Sequence, residues 1–377
     1  MDDKTEKFIT NLFKQYYDGL DLSNEHYLDI KEREFAFTYL NRDGMDRPRY
    51  FDNCDELHRY IMDKLPAAIF YSTAHYRIDK VYEQKEWMKA DLIFDLDADH
   101  LPGAESMSYA EMLDRIKIEF YDLVKGILID DFRVDEKNIL ITFSGNRGYH
   151  AHIHSDAFQN LDARSRRSIT TYLGLSKITV EQYNRIGNNG MKKRIDSVLK
   201  RLYEDIGNGK TVYNLEPEII KKLQEKIKLI EKKNRSKARG SNGYELLKEL
   251  LNSMKIPDVD QMAILNTLIK NSMDLSVIHI DAPVTGDIKR LIRMPLSLHP
   301  KSGFVVKKMD LNSFEKFTPT KDAIHKGFTG SSISARVLEN TTYTLNDKVF
   351  DLKKGALIEL PEYAALFFAC RNYISIA

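Results

Sequence analysis

With 377 residues, 42% hydrophobic and 30% charged, the chain has the make-up of a folded soluble protein of one elaborate or two ordinary domains, not of a disordered tract. Its longest apolar run, Tyr363 to Cys370, falls far short of the roughly 20 residues of a membrane helix, and the acidic start Met1-Asp2-Asp3-Lys4 is no secretory signal, so an intracellular protein without a membrane span is expected. Two cysteines, Cys54 and Cys370, exclude a disulfide framework, and a net charge of +1 excludes a uniformly basic polyanion binder.

In chain order, Phe8, Ile9, Leu12, Phe13, Tyr16 and Tyr17 form the apolar stripe of an amphipathic helix. Phe35, Phe37 and Tyr39 alternate with polar or small residues as in a strand; Asn41 to Asp46 supplies a turn, and Pro48 to Asp52 a second strand. Ala67–Ser72 and Leu92–Leu96 read as short buried strands. Ser108 and Glu111 make a capping box ahead of a helix carrying Met112, Ile116, Phe120, Leu123, Val124 and Ile127. Strands are expected at Asn138–Phe143 and Tyr149–His154, joined by the turn Ser144-Gly145-Asn146-Arg147-Gly148. From Gln159 to Asn271 the pattern is helical, broken at Gly187-Asn188-Asn189-Gly190 and Gly207-Asn208-Gly209. Strand character returns at Val277–Ile280 and Phe304–Val306. The order predicts an α+β fold with a mixed sheet built from discontinuous segments, residues 1–157 and 273–377 forming the core and 158–272 an inserted, mostly helical subdomain. Charge is uneven: Arg185 to Arg239 holds sixteen Lys/Arg against seven Asp/Glu, whereas residues 1–60 hold nine against fourteen. The basic stretch suits a polyanion, and equally the solvated side of helices. The apolar C-terminal stretch, Pro361 to Ala377, is expected in the protein's own core rather than at an interface.

Three clusters could carry chemistry. Asp95, Asp97 and Asp99 alternate at the end of a strand and share one face, an arrangement that suits a hard divalent cation and also serves to cap the next turn. Asp258 and Asp260 repeat the spacing elsewhere, so position on a buried strand is the signal, not the pattern. His150, His152 and His154 also share one face, open to Zn²⁺ ligation, to phosphate or sugar contacts, or to a solvated strand. The turn before them offers a hydroxyl, a guanidinium and two permissive glycines, as a polyphosphate cradle or a plain hairpin would. The third cluster joins Asp281 to Arg290, Arg293, His299 and Lys301, a carboxylate with cations for phosphate oxygens. No P-loop pattern occurs.

Taken together, Arg33 to Phe37, Pro66 to Tyr76, Trp87 with Ala90 to Asp99, Ser144 to His152 and Asp281 to Gly303 resemble the catalytic small subunit of archaeal and eukaryotic DNA primase. The resemblance covers the core and little of the helical insertion. It implies that Asp95, Asp97 and Asp281 hold two Mg²⁺ or Mn²⁺ ions, and that Ser144, Arg147, His150, Arg293, His299 and Lys301 contact the incoming nucleotide. Arg47 is a weaker carry-over, because Arg47-Pro48-Arg49-Tyr50-Phe51 only approximates the family's pattern. The implied activity is template-directed synthesis of short primers on single-stranded DNA from NTPs, with dNTPs an open second substrate. A large subunit with an iron–sulfur cluster, a single-stranded template and a primer–template duplex are the implied partners. Many members carry a zinc knuckle between the carboxylate strand and the Ser-Gly turn; His100 to Lys137 contains no cysteine, so no structural zinc is expected there. A primase-polymerase of repair or of a mobile element, a zinc hydrolase built on the three histidines, and a non-catalytic subunit are the competing readings.

Overall fold

A computed structural model of the chain describes residues 1–79, 84–174, 179–185, 187, 190–210, 215–233, 242–254, 257–328 and 332–377. Asn188 and Asn189 of the first expected helix break, and residues 186, 188–189, 211–214 and 234–239 of the basic stretch, lie outside the described residues. The chain forms two compact units, one of Met1–Phe120, Val134–Thr170 and Ile280–Ala377, the other of Tyr121–Arg133 and Thr171–His279.

Helix α1 (Asp3–Asp18) starts where the Asp2 carboxylate accepts from the Thr5 amide, and it buries Ile9, Leu12, Phe13, Tyr16 and Tyr17. Strands β1 (Phe35–Thr38) and β2 (Asp46–Arg49) pair antiparallel. The second strand was expected at Pro48–Asp52 and lies earlier. Asp46 anchors it by accepting from Tyr60 and Arg49, and by Asn53 the chain has left the sheet to cap α2 (Cys54–Lys64). There follow β3 (Ala68–Ser72), the hairpin of β4 (Ala74–Asp79) and β5 (Gln84–Ala90), and β6 (Leu92–Asp97). That hairpin escaped the sequence reading because the first half of β5, Gln84-Lys85-Glu86, is exposed and has no apolar alternation.

The Ser108–Glu111 box forms in both directions ahead of α3 (Tyr109–Tyr121), which runs on into a wider π-helical stretch, Asp122–Ile129. After β7 (Ile139–Phe143) and β8 (Gly148–Ile153) come α4 (Asp156–Gln159), α5 (Ala163–Gly174), α6 (Val180–Arg185), α7 (Gly190–Gly207), α8 (Pro217–Lys233), α9 (Gly243–Asn252), α10 (Asp258–Leu275) and the short α11 (Ala282–Gly286). The remainder is β9 (Leu291–Arg293), β10 (Lys308–Met309), α12 (Leu311–Lys316), α13 (Pro319–Asp322), β11 (Ser332–Val337), β12 (Thr341–Leu345), β13 (Lys348–Leu352), β14 (Leu357–Pro361), α14 (Glu362–Cys370) and β15 (Ile374–Ile376).

In the first unit two four-stranded sheets, β2-β1-β3-β9 and β10-β7-β8-β6, carry the chemistry-bearing residues. A mixed sheet was expected; every pairing among the described residues is antiparallel. The reason is topological: the chain that leaves β6 through α3 returns as β7 two positions away, and the tight turn to β8 reverses it to fill the place between them. The alternation of β8 sorts its side chains. Tyr149 packs on Phe120, Phe143 and Phe314 at centroid distances of 5.1–5.5 Å, while His150 and His152 take the opposite face. Two expected strands are corrected. Val277–Ile280 forms no strand, and the sheet resumes at β9. Phe304–Val306 closes a tight loop onto Leu296–His299, with Val305 making one isolated bridge to Leu298. Helix α14 is apolar all round and buried, as the sequence led one to expect of the C-terminal stretch.

The second unit is helical. Its core gathers Ile195, Leu199, Leu223, Ile227, Leu247 and Leu268 from α7 to α10, each on the apolar face of an amphipathic pattern. Among the described residues no helix is long and apolar enough to cross a membrane.

Candidate active site

The register of β6 against β8 sets Asp95 opposite His150 and Asp97 opposite Gly148. Gly148 is required by this pairing, because a Cβ there would stand 2.4 Å from the Leu96 carbonyl oxygen. Asp281, far along the chain, arrives just before α11 and donates its amide to the Asp95 carbonyl at 2.8 Å. At one edge of the sheet Asp97 and Asp281 thus come close enough for their charges to act on the Asp95 carboxyl. Burial, then the charges of Asp97 and Asp281, push the Asp95 carboxyl up to about 7, against the pull of His100 and Arg290. An all-oxygen donor set short of positive charge fits a hard divalent cation such as Mg²⁺ or Mn²⁺.

Across from the carboxylates lie groups suited to an anion. Ser144 and Gly148 close the turn by two bonds, Ser144 amide to Gly148 carbonyl at 2.9 Å and Gly148 amide to Ser144 Oγ at 3.1 Å. Gly145 has φ +87°, and a Cβ on it would meet His299 Cβ at 2.7 Å, so the turn and the 299–303 loop touch through a missing side chain. Arg147 pairs with Asp99 and leaves its buried Nε without a partner. His150 Nε2 is 3.5 Å from Asp95 Oδ1 and its Nδ1 has no partner; burial and Arg293 lower this imidazole to about 3, so it is neutral. Arg293, on β9, stacks 4.9 Å over Phe70 with one terminal nitrogen unpartnered, and burial lowers it to about 10. His299 accepts the Lys301 amide at Nδ1 (3.1 Å). Burial, and then the field of Arg293, Arg371, Lys301 and Arg147, holds its ring well below the usual imidazole range.

Nine of the ten predicted residues thus fall into one neighbourhood. For Arg47 the described contacts are different: its guanidinium is bound to the buried Glu34, at 2.7–2.8 Å, with Lys85 as Glu34's other partner. His150 and His152 on β8 and His154 just after it have three different partners. His150 faces Asp95; His152 bonds Tyr71 at 3.1 Å; His154 lies 3.2 Å from Asp91. A single three-imidazole centre is therefore not what this strand builds.

Sequence reasoning also missed a buried polar hub. Asp91 accepts from Arg33 (2.5 Å) and Gln159 (2.6 Å), and Arg33, then His154 and His75, overcome the opposing effect of burial and hold its carboxyl well below the ordinary range. His75 lies 3.4 Å from Asp91 by Nε2 and 2.8 Å from Glu32 by Nδ1, and one ligand atom each of Asp29, Glu32 and His75 fall within 4.8 Å of one another. Nothing in their spacing along the chain announces this; a 3₁₀ turn and β4 bring them together. The hub fixes Arg33 and the start of β6, and so the strand that carries Asp95 and Asp97.

The family profile for the DNA primase small subunit matches residues 94–311, from the carboxylate strand through the 299–303 loop. The chain is 33% identical to the DNA primase small subunit PriS of Methanococcoides burtonii, covering 99% of this chain and 98% of that one. It is also 33% identical to the PriS proteins of Thermoplasma volcanium (96% and 95%) and Archaeoglobus fulgidus (98% and 98%). Among solved structures, the polymerase domain of Mycobacterium tuberculosis Ligase D in complex with DNA aligns over 81% of this chain and 82% of its own, with a TM-score of 0.39 and 10% identity.

Proposed function

The chain belongs to the DNA primase small subunit family, and from that membership we propose that it is a primase catalytic subunit, a nucleotidyltransferase that starts short primers on single-stranded DNA from NTPs. The observation that carries the reading is the meeting of Asp95, Asp97 and Asp281 at a sheet edge faced by Ser144, His150 and Arg293. Divalent ions, Mg²⁺ or Mn²⁺, would be held by the three aspartates and would supply Lewis-acid activation of the attacking and leaving oxygens. The protein's own part is positioning and charge. Ser144 and the backbone of its turn hold phosphate oxygens; Arg147, Arg293 and Lys301 neutralise them; His150 and His299, both neutral, donate hydrogen bonds without adding charge. The 3′-oxygen bonds to the α-phosphorus as the α–β bridging bond breaks. The hydroxyl proton passes to solvent, and pyrophosphate leaves with the electron pair.

The helical unit is proposed as a subdomain inserted into a primase-type core, its lysines on α7 and α8 facing template or primer phosphates. A large iron–sulfur subunit is the proposed partner. Arg47 is kept as a candidate nucleotide contact, one that must first release Glu34. The test is de novo synthesis on unprimed single-stranded DNA with Mg²⁺ or Mn²⁺, NTPs and dNTPs supplied separately, for the wild type and Asp97→Ala. Short products from the wild type alone support the reading. Folded wild-type protein that makes none, with or without its partner, refutes it.

A further inference from the structure

Beside the phosphate turn opens a cleft of about 430 Å³, edged by Asn146, Arg147, Lys301 and Arg371 and walled by Tyr109 and Tyr343. Among the described residues lining it are three cations and no carboxylate. Arg147 has Asp99 as counter-charge. Among the described residues Arg371 has only neutral partners: it donates to Asn146 Oδ1 at 2.8 Å and to the Lys301 carbonyl, and its guanidinium stacks 3.8 Å over the Phe367 ring, with Tyr109 at 5.4 Å. Its charge is therefore held in place but not neutralised by an ion pair.

The surroundings are built to keep it there. The Tyr109 hydroxyl donates to the Asn146 carbonyl at 2.6 Å and ties the 144–148 turn to α3, while the Ser302 hydroxyl donates to the Gly145 carbonyl and ties it to the 299–303 loop. Arg293, Arg371, Lys301 and Arg147 all act on the neutral ring of His299, and among the described cleft-lining residues Arg371 and Lys301 stand beside Arg147 with no carboxylate on the wall. A concave site with such an excess attracts a multiply charged anion.

We propose that Arg371 is a further phosphate-binding residue, and that the cleft takes the terminal phosphates of a bound nucleoside triphosphate. This rests on the nucleotidyltransferase reading and extends its binding site to the C-terminal end of α14, a segment outside the clusters singled out in the sequence. A polyphosphate in the cleft touches Arg371, Lys301 and Arg147 together, while the reacting phosphate stays with the turn. The leaving pyrophosphate is then already seated on cations when the bond to it breaks.

Two variants separate charge from bracing. Arg371→Gln keeps a hydrogen-bonding side chain against Asn146 and removes the charge; Arg371→Lys keeps the charge and loses the forked geometry. Calorimetric titration of the full chain with inorganic tripolyphosphate, and KM and kcat for NTP in primer synthesis, read both. The expected result is a tenfold or greater loss of tripolyphosphate affinity in Arg371→Gln, a matching rise in KM with kcat changed less than threefold, and recovery of most of both in Arg371→Lys. Wild-type affinity in Arg371→Gln overturns the proposal; so does an Arg371→Lys as weak as the glutamine variant, which would reduce Arg371 to a brace. A wild type that binds tripolyphosphate through Arg371 yet makes no primer leaves the cleft assignment standing and removes the catalytic reading. Primer synthesis with KM unchanged in Arg371→Gln removes the cleft assignment alone.

Discussion

Replacing Asp95 with asparagine should stabilise the metal-free protein at neutral and alkaline pH while destroying its function. The Asp95 carboxyl stands at about 7 instead of its ordinary 3.8, because it is buried and faces Asp97 and Asp281. A folded pKa above the unfolded one means that the carboxyl is stabilising below the unfolded value, and that this contribution is lost as pH rises from about 4 to 7. Three units at about 1.36 kcal/mol each is about 4 kcal/mol; with about a fifth of the side chain open to solvent, about 2–4 kcal/mol is the expected cost of the ionised form. Asparagine fills the same space without the charge. Urea unfolding in a chelator, at about pH 4.5 and about pH 8, measures it: the variant should exceed the wild type by no more than about 1 kcal/mol at the lower pH and by about 2–4 kcal/mol at the higher. Excess Mn²⁺ should then reverse the order, since only the wild type binds the ion well and gains stability by mass action. A variant no more stable than the wild type at the higher pH, with chelator present, would refute the account of three mutually repelling carboxylates.

Asp91→Ala leaves Arg33 buried without its carboxylate and should cost about 3–5 kcal/mol in denaturant unfolding. Because the Asp91 carboxyl lies well below its ordinary value, its contribution is present above about pH 4 and fades as the solution is acidified further, so wild type and variant should converge at low pH. Gly148→Ala forces β8 away from the Leu96 carbonyl and should cost about 1–3 kcal/mol of stability, with loss of nucleotide affinity measured alongside it. Arg47→Ala leaves the Glu34 carboxylate, 1% exposed, with Lys85 alone, and should destabilise by about 1–3 kcal/mol; an unchanged melting temperature would show that Arg47 is free for another role.

The parts of the site that could be read from the sequence are those where local pattern and chemistry coincide. The alternation of Asp95 with Asp97 and of His150 with His152 fixes which side chains share a face, whatever the rest of the fold does. The turn Ser144 to Gly148 announces itself by its glycines, one at positive φ and one under a neighbouring carbonyl. The illegible parts depend on contacts between distant segments. Arg371 looks like any cation after a helix until its bonds to Asn146 and Lys301 are seen. Arg33 and Asp91, just outside strand ends, and His75, on β4, are polar residues among apolar neighbours, and the closed hub explains their burial. Val277–Ile280 has strand composition and yet forms no strand pairing among the described residues; the Ile278 amide goes to the Leu173 carbonyl instead, a contact no local pattern announces. The β4–β5 hairpin fails the other way: its pairing is regular, but its exposed charges hide the period.

The hydrogen bond from the Asp281 amide to the Asp95 carbonyl joins two points of the chain that are made at very different times. On a ribosome, β6 and β8 emerge and can pair while the α7–α10 segment and Asp281 are still untranslated. A nascent chain therefore presents two acidic ligands and the phosphate turn long before the third ligand exists. In the proposed mechanism such an intermediate is inert, so no partial product of translation can add nucleotides to stray single strands. By the same logic a premature stop before residue 281 gives a null allele rather than a weak one, even when the sheet beneath the first two aspartates has folded correctly.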